Sequence, residues 1–333
     1  MSIFIIAEAG VNHNGSIEQA KLLVDAAVAA GADAVKFQTF KTEALVTESA
    51  QQASYQVENT GQKESQFAML KRLELDESDH KTLVAYCQEQ NIEFMSTPFD
   101  DDSILLLHGL GMKRWKISSG ELLSVPYLRK IAAYNQATIL STGMGDLDEV
   151  KFSVQTLLKA GLDQNKLTVL HANTAYPTPY EDVNLNVMAT LKKALSVDIG
   201  LSDHSLGIEV PIAAVAMGAT IIEKHFTLDK SLPGPDHRAS LEPQELKAMV
   251  ESIRHIELAM GSSRKKASSS EKKNRAVARK RIVAKQKIQQ GEAFTEQNIT
   301  LKRSMEGRSA KDWDQVLTLN SQKTYQAGEG IDG

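Results

Sequence analysis

Short apolar runs alternate with amphipathic helical patterns from the first residues to about residue 260, and the alternation repeats eight times. The strand candidates are 3–9, 34–38, 93–96, 114–117, 138–141, 168–171, 198–201 and 220–223. Helical periodicity fills the intervals over 17–30, 78–90, 125–134, 147–160 and 211–217, and a last helix over 243–260 follows the eighth run. Eight strand-then-helix units are what a (β/α)8 barrel needs in about 250 residues. An open doubly wound sheet is the competitor, but it usually has fewer strands and one Gly-rich dinucleotide turn, and no such turn occurs here. The expected architecture is α/β: a TIM barrel over 1–261, a linker over 262–277, and a small β-rich module over 278–333.

Composition narrows the function classes. A net charge of −4 gives no footprint for nucleic acid or an acidic membrane. The single cysteine, Cys87, excludes an internal disulfide framework and suits a reducing compartment; its mid-helix place reads as packing. No apolar run approaches the roughly 18 residues that cross a bilayer. Met1-Ser2-Ile3-Phe4 leads directly into the first strand, with no room for a signal peptide. The expectation is a soluble cytoplasmic protein.

Barrel active sites gather where strands end and the following loops begin. Here those positions carry chemistry-capable residues. Glu8, Asn12, His13 and Asn14 follow the first run, Lys36 and Gln38 close the second, and Thr97 ends the third. Lys116-Ile117-Ser118-Ser119-Gly120-Glu121 ends the fourth, Ser141-Thr142-Gly143 the fifth, and Asn173-Thr174-Ala175-Tyr176-Pro177 the sixth. His204 and His225 follow the last two runs, so adjacent parallel strands would project both imidazoles from one rim. Helix capping accounts for some of the Ser, Thr and Asn, and two histidines alone are ordinary polar residues. Capping does not account for Lys36, Lys116, Glu121, His204 and His225 converging on one rim.

The residue types suggest a chemistry. Two neighbouring imidazoles make a half-filled site for a divalent metal, with positions left for water and substrate. Lysines, hydroxyls and glycines together suit a small ligand carrying phosphate and carboxylate. Lys36 and Lys116 lie inside apolar strand patterns, where a charge is buried and needs a partner. A metal held by His204 and His225 would act on a carbonyl oxygen, with Glu121 or Asp203 as general base; Asp203 could instead orient an imidazole. Two other classes compete: a lyase using Lys116 or Lys224 as a Schiff-base nucleophile, and a sugar-binding protein with a decayed site.

The chain resembles the bacterial sialic acid synthases in a series of segments that spans the barrel in order. They are Ile6-Ala7-Glu8-Ala9-Gly10-Val11-Asn12-His13-Asn14-Gly15, Ala34-Val35-Lys36-Phe37-Gln38, Ser96-Thr97-Pro98-Phe99, Lys116-Ile117-Ser118-Ser119-Gly120-Glu121 and Ser141-Thr142-Gly143-Met144. The series continues with Ser202-Asp203-His204, Glu223-Lys224-His225-Phe226-Thr227 and Gly234-Pro235-Asp236-His237-Arg238-Ala239-Ser240-Leu241. The resemblance implies a synthase that condenses phosphoenolpyruvate with an N-acyl mannosamine-type sugar. His204 and His225 would hold Mn2+, or another divalent cation such as Mg2+ or Co2+. Lys36, Thr97, Lys116, Ser119, Ser141 and Ser202 would grip phosphoenolpyruvate, and Glu121 would be the base for the attacking water. Gln38, Thr174, Tyr176 and Asp236 would bind the open-chain sugar. Asn14 would face its distal part, where some N-acetylneuraminate synthases carry Glu. An amide donates as well as accepts, so Asn14 leaves room for a 4-acylamino, 6-deoxy sugar beside plain N-acetylmannosamine. The products would then be N,N'-diacetyllegionaminate and N-acetylneuraminate, respectively.

The C-terminal part reads differently. Residues 262–274 are Ser-rich, basic and aperiodic, the composition of a solvated linker. Short strand and turn patterns follow at 281–284, 291–294 and 299–303. They resemble the antifreeze-like (SAF) domain of such synthases. In that family the domain lends an arginine to a partner subunit's site, which implies a domain-swapped homodimer and places Arg303 in that role. Arg303 is followed by Ser304-Met305 where relatives often have Pro-Gly.

Overall fold

The structure is a computed structural model that describes residues 2–61 and 63–332. It divides into two units, Met1–Gly261 and Ser262–Gly333.

The first unit is the expected barrel. Eight parallel strands run β1 (Phe4–Gly10), β2 (Ala34–Thr39), β3 (Glu93–Pro98), β4 (Arg114–Ile117), β5 (Ala137–Ser141), β6 (Leu167–Ala172), β7 (Asp198–Asp203) and β8 (Ile221–His225). Ladders join neighbours from β3 through β2, β1, β8, β7, β6 and β5 to β4, and β3 lies beside β4 to close the ring. Strands of such a barrel are covered on both faces, so they are almost wholly buried.

Alternation along the strands builds the site in layers. Side chains two apart point the same way, and the inner set begins with an apolar layer: Ile6, Ala34, Met95, Ile139, Leu170 and Ile221. Two residues further along each strand, the same inward direction carries Glu8, Lys36, Thr97, Ser141 and Glu223. The apolar layer is therefore the floor on which the polar layer stands. Gly200 belongs to it on β7, where a Cβ would lie 2.4 Å from the Ile221 carbonyl oxygen and 2.6 Å from Leu170 Cδ2. The outward set, including Ile5, Ala7, Val35 and Phe37, packs against helices such as α1 (Ile17–Ala30).

Three strands extend two residues beyond the apolar runs that announce them, β3 by Thr97 and Pro98. β7 includes Ser202 and Asp203, and β8 includes Lys224 and His225. The backbone ladder is indifferent to side-chain polarity, and Ser202, Asp203 and Lys224 find polar partners, so polarity does not end the strand. The connection after β2 holds three short helices with no counterpart in the sequence reading: α2 (Thr42–Leu45), α3 (Ser54–Thr60) and α4 (Gln66–Leu73), ahead of α5 (Glu77–Glu89).

Within the span read as a linker, a helix with a Ser268–Glu271 capping box occupies Ser269–Ala278, and none of its residues is buried. The second unit pairs β9 (Lys280–Ala284) with β10 (Ile299–Arg303) in antiparallel fashion over a core of Ile282, Ile288, Phe294, Ile299, Val316 and Tyr325. The run at 291–294 forms no named strand and makes only an isolated bridge from Ala293 to Asn320. Among the described residues, no helix is long and apolar enough to cross a membrane.

Candidate active site

A cavity of about 460 Å3 opens at the C-terminal ends of the strands. A second cleft of about 320 Å3, lined by Gln164, Lys192 and Asp198, sits near the opposite strand ends and has none of the same convergence. The main cavity is lined by Lys36, Gln38, Thr97, Lys116, Ser119 and Ser141, and further round by Thr174, Tyr176, Ser202, His204, His225 and Asp236. With Glu8 of β1, residues from all eight strands and their loops meet there.

The floor is an interlocked set of charges. Lys36 Nζ lies 2.7 Å from Glu8 and 3.6 Å from Glu223, and donates to Thr97 Oγ1 at 3.0 Å. Lys116 Nζ is 3.4 Å from Glu223, which also accepts from Ser202 Oγ at 2.7 Å. Burial opposes the Glu223 carboxylate, but Lys116 and Lys36 outweigh it and hold it down to about 2. Glu8 has less help, and burial pushes it up to about 7 against the pull of Lys36. Burial also lowers Lys116, whereas Glu223 and Glu8 overcome burial at Lys36 and raise it. Lys36 is kept charged, and both lysine side chains are positioned against carboxylates before any anion arrives. Ser141 Oγ, buried beside them, has no hydrogen-bond partner among the described residues. Gly143 lets this corner close: its N–H donates to Ser119 Oγ at 2.9 Å, and a Cβ there would lie 2.6 Å from Thr174 Cγ2.

The two imidazoles stand at the other side, with ring centroids 5.4 Å apart. His204 Nδ1 donates to the Asn173 carbonyl at 2.5 Å, which fixes the tautomer and leaves Nε2 as a lone pair. His225 Nδ1 has no partner among the described residues. Burial lowers both, His204 to about 4, so both are neutral at pH 7, as metal ligands must be. No cluster of three or more His, Cys, Asp or Glu with metal-holding geometry occurs among the described residues. These residues fit a divalent ion as two donors with further positions left open. Tyr176 packs on both rings, at 4.1 Å from His204 and 5.7 Å from His225, and Tyr55 of α3 stacks on Tyr176 at 5.0 Å.

Above the floor the lining changes character. Phe40, Leu45, Val46, Met69, Leu70 and Phe99 give the cavity an apolar wall, much of it supplied by α2 and α4. α3 is tied across the opening by Asn59, whose side-chain amide donates to the Pro235 carbonyl at 2.7 Å. Asp236, beside that tie, is pushed up to about 6 by burial.

Several expectations need correction. Glu121 closes a short 3-10 turn, Ser119–Glu121, and does not line the cavity; the carboxylates that do are Glu8, Glu223 and Asp236. Asp203 makes no hydrogen bond to an imidazole ring among the described residues and faces away from the cavity, paired with Lys224 at 2.5 Å. Lys224 is therefore no cavity nucleophile either. Asn14 lies outside the lining and interacts with His237 Nε2 at 3.3 Å, beneath the Gly234–Asp236 loop, so it bears on the cavity through that loop. Arg303 ends β10 in the second unit and is exposed. Glu8 and Glu223 are the residues the sequence reading leaves without a role. Their signal was present: each is a carboxylate inside an apolar strand run, the same anomaly that marks Lys36 and Lys116.

Neutral burial of imidazoles has a consequence for stability. His13 and His237, both fully buried near the cavity, are lowered to about 4 in the same way as His204. A base depressed in the folded state contributes stability that is complete above its unfolded value and is lost as pH falls toward 4. Glu8 and Asp236, both raised, work in the opposite sense over pH 4.5–7 and pH 3.8–6, but they are two groups against four lowered histidines, His13, His204, His225 and His237. The thermal midpoint is expected to fall by ~5 °C or more between pH 6.5 and 4.5. Scanning calorimetry across that range checks it, and an unchanged or rising midpoint would show that these histidines are not held neutral.

The chain is similar to known proteins over nearly its whole length. The model of the NeuB family matches residues 23–265, and that of the SAF domain matches 279–333. N,N'-diacetyllegionaminic acid synthase of Campylobacter jejuni is 50% identical over 327 residues, covering 98% of each chain. The enzyme of the same name from Legionella pneumophila is 46% identical over 98% of this chain and 93% of its own. Among solved structures, N-acetylneuraminic acid synthetase from Leptospira borgpetersenii, in complex with citrate, is 33% identical with a TM-score of 0.72, covering 82% of this chain and 90% of that one.

Proposed function

This chain belongs to the NeuB family of sialic acid synthases and carries a SAF domain, and we propose that it joins phosphoenolpyruvate to an open-chain 2,4-diacetamido-2,4,6-trideoxy sugar of the mannose series. The product is then a nine-carbon 2-keto acid, N,N'-diacetyllegionaminate, with inorganic phosphate. C3 of phosphoenolpyruvate bonds to the aldehyde carbon, water adds at C2, and phosphate leaves with cleavage of its C–O bond.

Lys36 and Lys116 receive the phosphate and carboxylate, with hydroxyls of Thr97, Ser119, Ser141 and Ser202 around them. His204 and His225 hold the divalent cation, Mn2+ being our first choice and Mg2+ or Co2+ the alternatives. When bound it supplies Lewis-acid polarisation of the sugar aldehyde. Glu8 is the floor carboxylate that exchanges a proton near neutral pH, and we assign it the proton lost by the adding water. Glu223 stays ionised and keeps the two ammonium groups aimed into the cavity. Tyr176 and α3 cover the histidines and restrict water. Chains pair so that the SAF domain of one brings Arg303 to the other's cavity, and the enzyme works in the cytoplasm.

One observation carries the choice of sugar: a charged floor facing an apolar wall. N-acetylmannosamine would present a 4-hydroxyl and a hydroxymethyl group to that wall, and burying an unpaired hydroxyl costs about 1–3 kcal/mol. The diacetamido-trideoxy sugar presents a methyl group and a second acetyl methyl instead, each worth about 0.8 kcal/mol when buried. The names of the Campylobacter and Legionella relatives support the same choice. N-acetylmannosamine remains the second reading, favoured by the polar Gln38 and Asp236 on the lining.

The test is product identification by mass spectrometry, with phosphoenolpyruvate, Mn2+ and each sugar supplied separately. We expect kcat/KM to favour the diacetamido-trideoxy sugar by ~100-fold. Preference for N-acetylmannosamine overturns the sugar assignment, and no phosphate release with either overturns the reaction.

A further inference from the structure

Lys224 and Asp203 are charged, buried and adjacent to the two histidines, yet the proposed reaction makes no use of them. They stand opposite each other in the β7–β8 ladder, each one residue before a histidine. Ser202 and Glu223, their ladder neighbours, point into the cavity, so Asp203 and Lys224 point to the outer face of the barrel. Lys224 is 0% exposed and Asp203 2%. The ammonium lies 2.5 Å from Asp203 Oδ2 and also donates to the Ser205 carbonyl. Asp203 Oδ1 accepts from the Ser205 N–H at 3.0 Å and from Ser205 Oγ at 2.8 Å.

We infer that Asp203, Lys224 and Ser205 form a clamp behind the barrel wall that sets the spacing and aim of the His204 and His225 imidazoles, and so the affinity for a divalent cation. The inference rests on the reading of those histidines as the metal ligands. The regular ladder ends at the Asp203–Lys224 pair. Beyond it the chain turns, and His204 sits at the apex of that turn, between the residue that gives the carboxylate and the residue that binds it. The Lys224 ammonium ties both ends of the turn to the strand residue next to His225. A shift of one strand end against the other therefore stretches the clamp before it changes the distance between the rings.

Metal-binding histidines are commonly aimed by a carboxylate on the free ring nitrogen. Here that nitrogen of His204 is already taken by the Asn173 carbonyl, so the carboxylate acts on the backbone instead. Stability alone is a poor account of the cluster, since a buried ion pair is often no better than apolar residues of the same volume. These are positioning residues; they touch neither substrate nor metal.

The test uses the full chain stripped of metal and titrated calorimetrically with Mn2+ alone, then separately with phosphoenolpyruvate alone. In the double variant D203N/K224M both charges go together, so no unpaired charge is left buried. Its Mn2+ dissociation constant is expected to rise ~10–100-fold. Phosphoenolpyruvate binding, held by Lys36 and Lys116, should change by no more than ~2-fold. Ser205→Ala removes one hydrogen bond and no charge, leaves the Asp203–Lys224 pair in place, and should weaken Mn2+ binding ~5-fold with a melting profile unchanged to within a few degrees. Unchanged Mn2+ affinity in these variants overturns the clamp, and so does equal weakening of both ligands, which would mark general structural damage. A wild-type chain that binds phosphoenolpyruvate but no Mn2+ overturns the histidine reading itself, and the clamp with it.

Discussion

Replacing His204 or His225 by alanine should lower kcat/KM by ~10^3-fold or more, because the Lewis acid supplies several kcal/mol at the reacting carbonyl and two donors cannot be reduced to one. The fold should survive. Both rings line the cavity, and His204 loses its hydrogen bond to the Asn173 carbonyl and a long contact of 3.5 Å with Ser202 Oγ, which together are worth about 1 kcal/mol. The alanine variants should also lose less stability on acidification than wild type, since one depressed imidazole no longer has to be charged. Metal content after gel filtration, measured together with phosphate release, separates the two effects. Near-normal turnover by either variant without bound metal would remove the cation from the mechanism.

The barrel was legible because its evidence is periodic. Eight apolar runs, each with a helical pattern behind it, leave few arrangements, and inward alternation then carries Lys36, Thr97, Ser141 and Ser202 to one end without further assumption. Partners were less legible than positions. Lys36 declares by its setting that it needs a counter-charge, but only the ladder registers Glu8↔Lys36 and Ser202↔Glu223 reveal who supplies it. Glu121 and Asp203 miss the cavity lining for a related reason. A carboxylate next to a functional residue in sequence alternates to the opposite face of a strand, as Asp203 does, or leaves the rim in a turn, as Glu121 does. The helices α2–α4 escaped notice because each has at most eight residues, too short for a stable period, although they provide the wall on which the choice of sugar rests. Asn14 shows a further limit: its effect passes through His237 and a loop that lies more than 200 residues away in the chain.

Lys36→Met is expected to abolish phosphoenolpyruvate binding at millimolar concentration and to reduce activity by ~10^3-fold or more, because one of two buried cations facing the anion is lost. It also leaves Glu8 without its 2.7 Å partner and Glu223 with only Lys116 and Ser202. Removing one member of a buried pair typically costs 3–5 kcal/mol, about as much as many domains have to spare. Loss of activity alone would therefore be ambiguous between an unfolded chain and an empty anion site. Glu8→Gln in the same chain resolves it. With both charges gone, no carboxylate at position 8 needs compensation, and the double variant should regain roughly 2 kcal/mol over Lys36→Met at pH 8, where the unfolded carboxylate is fully ionised and burying it without Lys36 costs the single variant most. At pH 5.5 the regain should shrink, since that pH lies close to the ordinary carboxylate value of 4.5 and keeping Glu8 protonated in the folded single variant then costs little. Phosphoenolpyruvate binding should not return at either pH. Denaturant melts at the two pH values and calorimetric titration with phosphoenolpyruvate measure both halves. If binding returns together with stability, Lys36 serves the fold and the anion is held elsewhere; if stability returns and binding does not, the ammonium is a ligand for the substrate.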